Sequence, residues 1–291
     1  MTVTIGNRSV GVGHPCFVVA EVGINHNSSV DLALQTIDAA AEAGADAVKF
    51  QVGDPRKYVN PSTWDVPRET PWGVVPYIEY RERMELSDDE LRVTAEYANA
   101  LGMQWFASPL DTSAIPRLEA LGVPCYKVAS PMLTDLRLLN AIANTGKPII
   151  MSTGMSTAEE IRTAVVRNSG RSEIVLLHCT SAYPCPPEQC NLRMLDTLRE
   201  RFPSIPVGYS GHEIGVPQTV AAVAMGACVV ERHITTGRSL WGSDHAASLE
   251  PDGFKKLVKY IRTVEASMGT GEKRVYDSEQ ANKSKFRRDA A

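Results

Sequence analysis

The chain has 291 residues, 43% hydrophobic and 22% charged, which can bury a large core in the size range where an α/β barrel forms one domain. A formal net charge of −4 leaves no basic field for sequence-independent binding, so neither nucleic acid nor an anionic membrane is expected as a partner. No basic-then-apolar signal opens the sequence, and the longest nearly apolar run, 220–230, is about half of the roughly 20 residues needed to span a bilayer. A cytoplasmic protein is the expectation.

In chain order, the first continuous apolar run is 17–22, FVVAEV, a strand followed by turn-rich residues. Apolar residues at helical spacing over 29–43, stopped by Gly44, predict a helix, and 46–51 predicts the second strand. A helix over 87–101 opens with Ser87 and Glu90 at capping-box spacing and leads to a strand at 103–108. The alternation continues with helices at 111–121, 134–145, 156–168, 191–202, 215–226 and 251–268. The remaining strands fall at 123–130, 147–153, 172–180, 205–210 and 228–233. Eight strands alternating strictly with eight helices predict a (β/α)8 TIM barrel, a single α/β domain over 1–270, with a polar, basic tail over 271–291. One connection is too long for a simple turn: 52–86 holds five prolines with Trp64 and Trp72, and is expected to be a lid or a partner contact. Six cysteines without CxxC spacing read as reduced core residues, with Cys179 set apart by its place at a strand end.

In a barrel of this kind the reacting face lies at the carboxyl ends of the strands. Those ends carry Glu21, Lys49 with Gln51, Ser108, Lys127 with Ser130, Ser152 with Thr153, the segment 178–181, Ser210 with His212, and His233. Taken singly, a serine there commonly bonds local backbone, a lysine snorkels to solvent and a histidine satisfies one strand-end hydrogen bond. Their convergence carries the inference. Two lysines and several hydroxyls suit a phosphate, while a carboxylate opposite two imidazoles suits a metal, a general base or both. His212 and His233, with Asp244 and His245 just beyond, form a candidate cradle for a divalent cation.

The segments HPCFVVAEVGINHN (14–27), GADAVKFQ (44–51), GKPIIMSTGM (146–155), LLHCTSAYP (177–184), IPVGYSGHE (205–213), VVERHIT (229–235) and GSDHAASLEP (242–251) together resemble the sialic acid synthases, the NeuB-type N-acetylneuraminate synthases. The resemblance covers nearly the whole barrel, and SGH at 210–212 is similar to the animal-type branch. It implies condensation of phosphoenolpyruvate with an amino-sugar aldehyde to a 2-keto-3-deoxy acid, with release of phosphate, dependence on Mn2+ or Mg2+, and a homodimer. By the same resemblance His212 and His233 would hold the metal. Lys49, Gln51, Ser108, Lys127, Ser130, Ser152, Ser181 and Ser210 would surround phosphoenolpyruvate, Glu21 and Asp244 would lie near the reacting atoms, and Tyr183 near the acceptor.

Two features set this sequence apart from the family pattern. Longer members carry a C-terminal antifreeze-like domain that this chain is expected to lack, and Met132 stands where a KxGSGE or KxGSGD acid would meet the acceptor. Both fall on the acceptor side, so the acceptor is expected to differ from N-acetylmannosamine. The alternatives are an ulosonic acid synthase for a legionaminic, pseudaminic or other polysaccharide sugar, and a non-catalytic binding subunit. The latter is disfavoured because Glu21, Lys49, Lys127, His212, His233 and Asp244 are all present.

Overall fold

The computed structural model describes residues 2–288. The apolar runs become eight parallel strands, β1 (Phe17–Gly23), β2 (Ala47–Val52), β3 (Gln104–Pro109), β4 (Tyr126–Val128), β5 (Ile149–Ser152), β6 (Ile174–Cys179), β7 (Val207–Gly211) and β8 (Val229–His233), closed into a barrel with β8 paired to β1. Their near-continuous Val, Ile and Leu content follows from being covered on both faces, by the lumen and by an outer ring of helices. That ring is α1 (Val30–Ala43), α2 (Asp88–Ala100), α3 (Ala114–Ala120), α4 (Leu136–Ala143), α5 (Ala158–Asn168), α6 (Met194–Arg201), α7 (Pro217–Ala224) and α8 (Pro251–Ser267). The expected capping box at Ser87 and Glu90 is present on α2, and Thr157 with Glu160 forms a second on α5. Gly44 ends α1 in a left-handed conformation at φ 82°, which a side chain would oppose. No described helix is long and apolar enough to cross a membrane.

Three further elements lie outside the eightfold alternation. Residues Thr2–Ile5 and Arg8–Gly11 pair as an antiparallel hairpin at the amino ends of the strands. Its Val3, Ile5 and Val10 are buried in the core, each burial contributing about 1.5–3 kcal/mol, and Arg8 pairs with Asp46 at 2.6 Å. The segment 52–86 is a small structure of its own, with short helices at Pro55–Tyr58 and Tyr77–Met84 and a hairpin of Pro67–Thr70 with Gly73–Pro76. It is pinned by buried Tyr80, which meets the Trp241 ring edge-on at 5.5 Å and packs with Ile24 and Met84. The polar, basic tail contains a helix over Asp277–Phe286 with no buried residue.

Strand register sets the site. His233 pairs with Glu21, and Glu21 with Lys49, so β8, β1 and β2 present these three groups on one rung. Ser210 pairs with Glu231, and Gln51 with Ser108, on neighbouring strands.

Candidate active site

At the carboxyl end of the barrel a buried chain of charges crosses the lumen. Lys49 Nζ lies 2.9 Å from Glu21 Oε2, 3.4 Å from Glu231 Oε1 and 3.1 Å from Ser108 Oγ. Lys127 Nζ donates to Ser152 Oγ at 2.6 Å and lies 3.8 Å from Glu231 Oε1, which also accepts from Ser210 Oγ at 3.3 Å. Burial works against the Lys49 ammonium, but Glu21 and Glu231 more than offset it and raise its pKa. Burial would also raise Glu231, yet Lys127 and Lys49 hold it down at about 2. Burial raises Glu21 against the attraction of Lys49, leaving it the more basic of the two carboxylates. Lys127 is the less compensated lysine; burial lowers its pKa against the pull of Glu231.

His212 and His233 stand beside this chain with ring centroids 5.5 Å apart, and the Tyr183 ring covers His212 at 4.0 Å. His212 Nδ1 is 2.9 Å from the Thr180 carbonyl, an arrangement in which Nδ1–H donates and Nε2 keeps its lone pair. Burial pushes His233 down to about 4, so its ring is neutral, and its buried Nδ1 has no hydrogen-bond partner, with Asp244 Oδ2 3.9 Å away. The neutral His233 ring leaves a nitrogen without a partner, and His212 Nε2 is free when Nδ1 donates. Burial lowers the His212 pKa, but its contacts with Cys179 and Thr180 raise it overall, so a cation bound there displaces a proton held more tightly than usual. No group of three His, Cys, Asp or Glu is arranged as a metal site among the described residues. His212 and His233 are two side-chain donors, fewer than the four of a closed structural metal site.

Hydroxyls gather on the opposite wall around the turn after β5. Gly154 N donates to Ser130 Oγ at 3.1 Å, and a Cβ at Gly154 would come within 2.7 Å of Ser130 Oγ and collide with Ser181 Oγ. The absence of a side chain there lets both serines and Cys179 converge, with Cys179 Sγ 3.6 Å from Ser130 Oγ and 3.9 Å from His212 Nδ1.

The cavity enclosed by these groups is small, about 140 Å³. It is walled by Glu21, Lys49, Gln51, Lys127, Ser130, Ser152, Tyr183, Ser210, His212 and His233 among the expected residues. Three others stand just behind it: Ser108 accepts from Lys49, Ser181 lies 4.0 Å from Cys179 Sγ, and Asp244 flanks His233. His245, expected as part of the cation cradle, is instead tied to Thr235 Oγ1 at 2.6 Å, and His178 to the Cys190 carbonyl at 2.8 Å. Glu231, part of the polar cluster 231–233 in the sequence, was given no role there, although it precedes His233 by two positions and therefore faces the same side of β8. All six cysteines are free and buried.

Gln51, Leu110 and Pro131 are shared with a second, larger cavity of about 820 Å³ beneath segment 52–86, whose wall includes Tyr58, Arg68, Arg81 and Met132. Residues of the long connection thus line a cavity that adjoins the charged core.

The model of the NeuB family matches residues 36–273. The chain belongs to the NeuB family. Within it, N-acetylneuraminate-9-phosphate synthase of Mus musculus is 39% identical over 277 residues, covering 94% of this chain and 77% of that protein. N,N'-diacetyllegionaminic acid synthase of Legionella pneumophila is 38% identical, covering 94% and 79%. The crystal structure of N-acetylneuraminic acid synthetase from Leptospira borgpetersenii in complex with citrate superposes with a TM-score of 0.88 at 32% identity, covering 98% of this chain and 96% of that one. The NeuB assignment extends over the strands that carry Lys49, Lys127, Ser210, His212, Glu231 and His233.

Proposed function

We propose that this chain is a carbon–carbon bond-forming synthase that condenses phosphoenolpyruvate with an aldehyde amino sugar, releasing phosphate and forming a 2-keto-3-deoxy acid. The observation that carries it is the buried Lys49–Glu21–Glu231–Lys127 chain opening beside two neutral-capable imidazoles. The synthase names of its NeuB relatives point the same way.

In this reading Lys127, with Ser152, Ser210 and Ser130, holds the anionic groups of phosphoenolpyruvate. Lys127 is the ammonium with least internal compensation. The enol carbon C3 forms a bond to the aldehyde carbon, the aldehyde oxygen takes up a proton, and positive charge develops at C2. Glu21 and Glu231 lie where that charge is stabilised, and Glu21, the more basic carboxylate, accepts the proton of the water that adds to C2. Breaking the C2–O bond then releases phosphate and leaves the 2-keto group. A Mn2+ or Mg2+ ion held by His212 and His233 would supply Lewis-acid polarisation of the aldehyde oxygen. Asp244 positions His233 from its flank.

The test is mass-spectrometric detection of product after incubation with phosphoenolpyruvate, Mn2+ and a panel of aldehyde sugars led by N-acetylmannosamine. One 2-keto-3-deoxy acid per phosphate, lost in Lys127→Met, is the expected result; phosphoenolpyruvate left intact with every aldehyde would overturn the proposal.

A further inference from the structure

The connection from β6 to α6 carries a pair of thiols that the condensation does not use. Cys185 and Cys190 are both free and buried, with Sγ atoms 3.8 Å apart. Both thiols are turned to one acceptor, the Pro186 carbonyl, at 3.5 and 3.6 Å. A single 3-10 turn over Pro187–Gln189, closed by Cys190 N donating to the Pro187 carbonyl at 3.2 Å, folds the segment back so that the sulfurs meet. Tyr183, Pro184, Pro187, Glu188 and Gln189 of the same segment are exposed, so the pair lies just beneath a surface loop. Closing the gap to the roughly 2.05 Å of a disulfide draws the two sulfurs together by about 1.7 Å.

The same segment holds His212 from both of its ends. Cys185 N donates to the His212 carbonyl at 3.0 Å. His212 Nδ1 donates to the Thr180 carbonyl at 2.9 Å, and Thr180 Oγ1 donates to the carbonyl of Gln189, the residue before Cys190, at 2.9 Å. The Tyr183 ring over His212 belongs to this segment too. We propose that Cys185 and Cys190 are a site of reversible oxidation, and that the disulfide they form loosens the grip of segment 180–190 on His212. The oxidant is a hydroperoxide. One thiol attacks hydrogen peroxide, the O–O bond breaks, and a sulfenic acid and one water result. The second thiol then attacks that sulfur, the S–S bond forms, and the sulfenic oxygen leaves as a second water. The pair loses two electrons and two protons, and peroxide is reduced to two waters. Burial, and next the Cys190 thiol, push Cys185 up to about 12, so the reaction is slow. The reduced pair gains no stabilisation as a thiolate, which favours the disulfide at equilibrium.

The experiment treats reduced wild type, Cys185→Ala and Cys190→Ala with hydrogen peroxide, then measures mass, linked peptides and backbone amide exchange. Wild type should lose about 2 Da with Cys185 and Cys190 joined in one peptide, and dithiothreitol should reverse it. Exchange in peptides spanning 178–191 and 206–214 should speed up on the order of 10-fold on oxidation, and remain unchanged in both alanine variants. Acceptor-dependent phosphate release should fall about 10-fold in oxidised wild type, return with dithiothreitol, and resist peroxide in the variants. Absence of the 185–190 link, or a link that leaves exchange at 206–214 unaltered, would overturn the proposal. So would equal loss of activity in the alanine variants, which would place the sensitive thiol elsewhere. Should the reduced enzyme release no phosphate with any aldehyde, the synthase reading fails, while the mass and exchange measurements still decide the switch.

Discussion

Lys49 Nζ lies 2.9 Å from Glu21 Oε2, with both side chains almost wholly withdrawn from solvent. Such a pair contributes little net stability, but breaking it from one side strands a charge at a cost of about 3–5 kcal/mol. Lys49→Met, which leaves Glu21 and Glu231 together without their shared ammonium, should lower the urea-unfolding free energy by that order. Glu21→Gln, which leaves Lys49 paired with Glu231 at 3.4 Å, should cost much less stability yet lower kcat on the order of 100-fold through loss of the proton acceptor. Equal destabilisation by the two substitutions would contradict the arrangement.

Gly154 tests the hydroxyl wall. Its φ is not in the left-handed region, so alanine is tolerated by the backbone, but the added Cβ meets Ser130 Oγ and Ser181 Oγ. Gly154→Ala should raise KM for phosphoenolpyruvate by about 10-fold or more through displaced hydroxyls. Its unfolding midpoint should stay near that of the wild type. Steady-state kinetics alongside denaturant unfolding separates the two effects.

The buried pair of Arg232 and Glu213, at 2.9 Å, supports β7 and β8 from outside the reacting groups. Glu213 also accepts from Tyr209 Oη at 3.0 Å and Thr219 Oγ1 at 2.6 Å. Arg232→Met should destabilise by about 3–5 kcal/mol, because it leaves a carboxylate buried without its cation. Arg232→Met with Glu213→Gln should recover a substantial part, a comparison made by urea denaturation of the single and double variants.

His26 makes stability depend on pH. Burial beside Phe50 lowers its pKa from 6.5 to about 4, and its Nδ1 accepts from the Ser28 amide at 3.1 Å, a role open only to the neutral ring. The folded protein therefore resists protonation that the unfolded chain accepts at 6.5. The contribution is complete above that pH and is lost progressively as the pH falls from 6.5 through 4, amounting to roughly 3 kcal/mol. Urea midpoints at pH 7.5 and 4.5 should differ less for His26→Gln than for the wild type.

Much of the site was legible because chemistry and register coincide. Continuous apolar runs ending in Glu21, Lys49, Ser152 and His233 read directly as barrel strands with polar exits, and the Ser87 and Glu90 spacing gave the α2 cap. Glu231 was less visible because it sits within a strand rather than at its end, and only the two-residue alternation toward His233 places it in the lumen. The N-terminal hairpin carried a signal, Gly6-Asn7 between alternating apolar residues, with Gly6 at φ 57°. The Arg232–Glu213 pair and the Tyr80–Trp241 contact, by contrast, join residues whose proximity arises from barrel closure and loop packing, which no local pattern encodes.

The most direct measurement is phosphate release from phosphoenolpyruvate in 18O-labelled water, with Mn2+ and each acceptor, in the wild type and His212→Ala. Water addition at C2 beside Glu21 predicts acceptor-dependent release, loss of that release in His212→Ala, and phosphate free of label because the C2–O bond breaks. Labelled phosphate, or release that proceeds without any acceptor, would mean that the charged core performs simple phosphoenolpyruvate hydrolysis and would contradict the account.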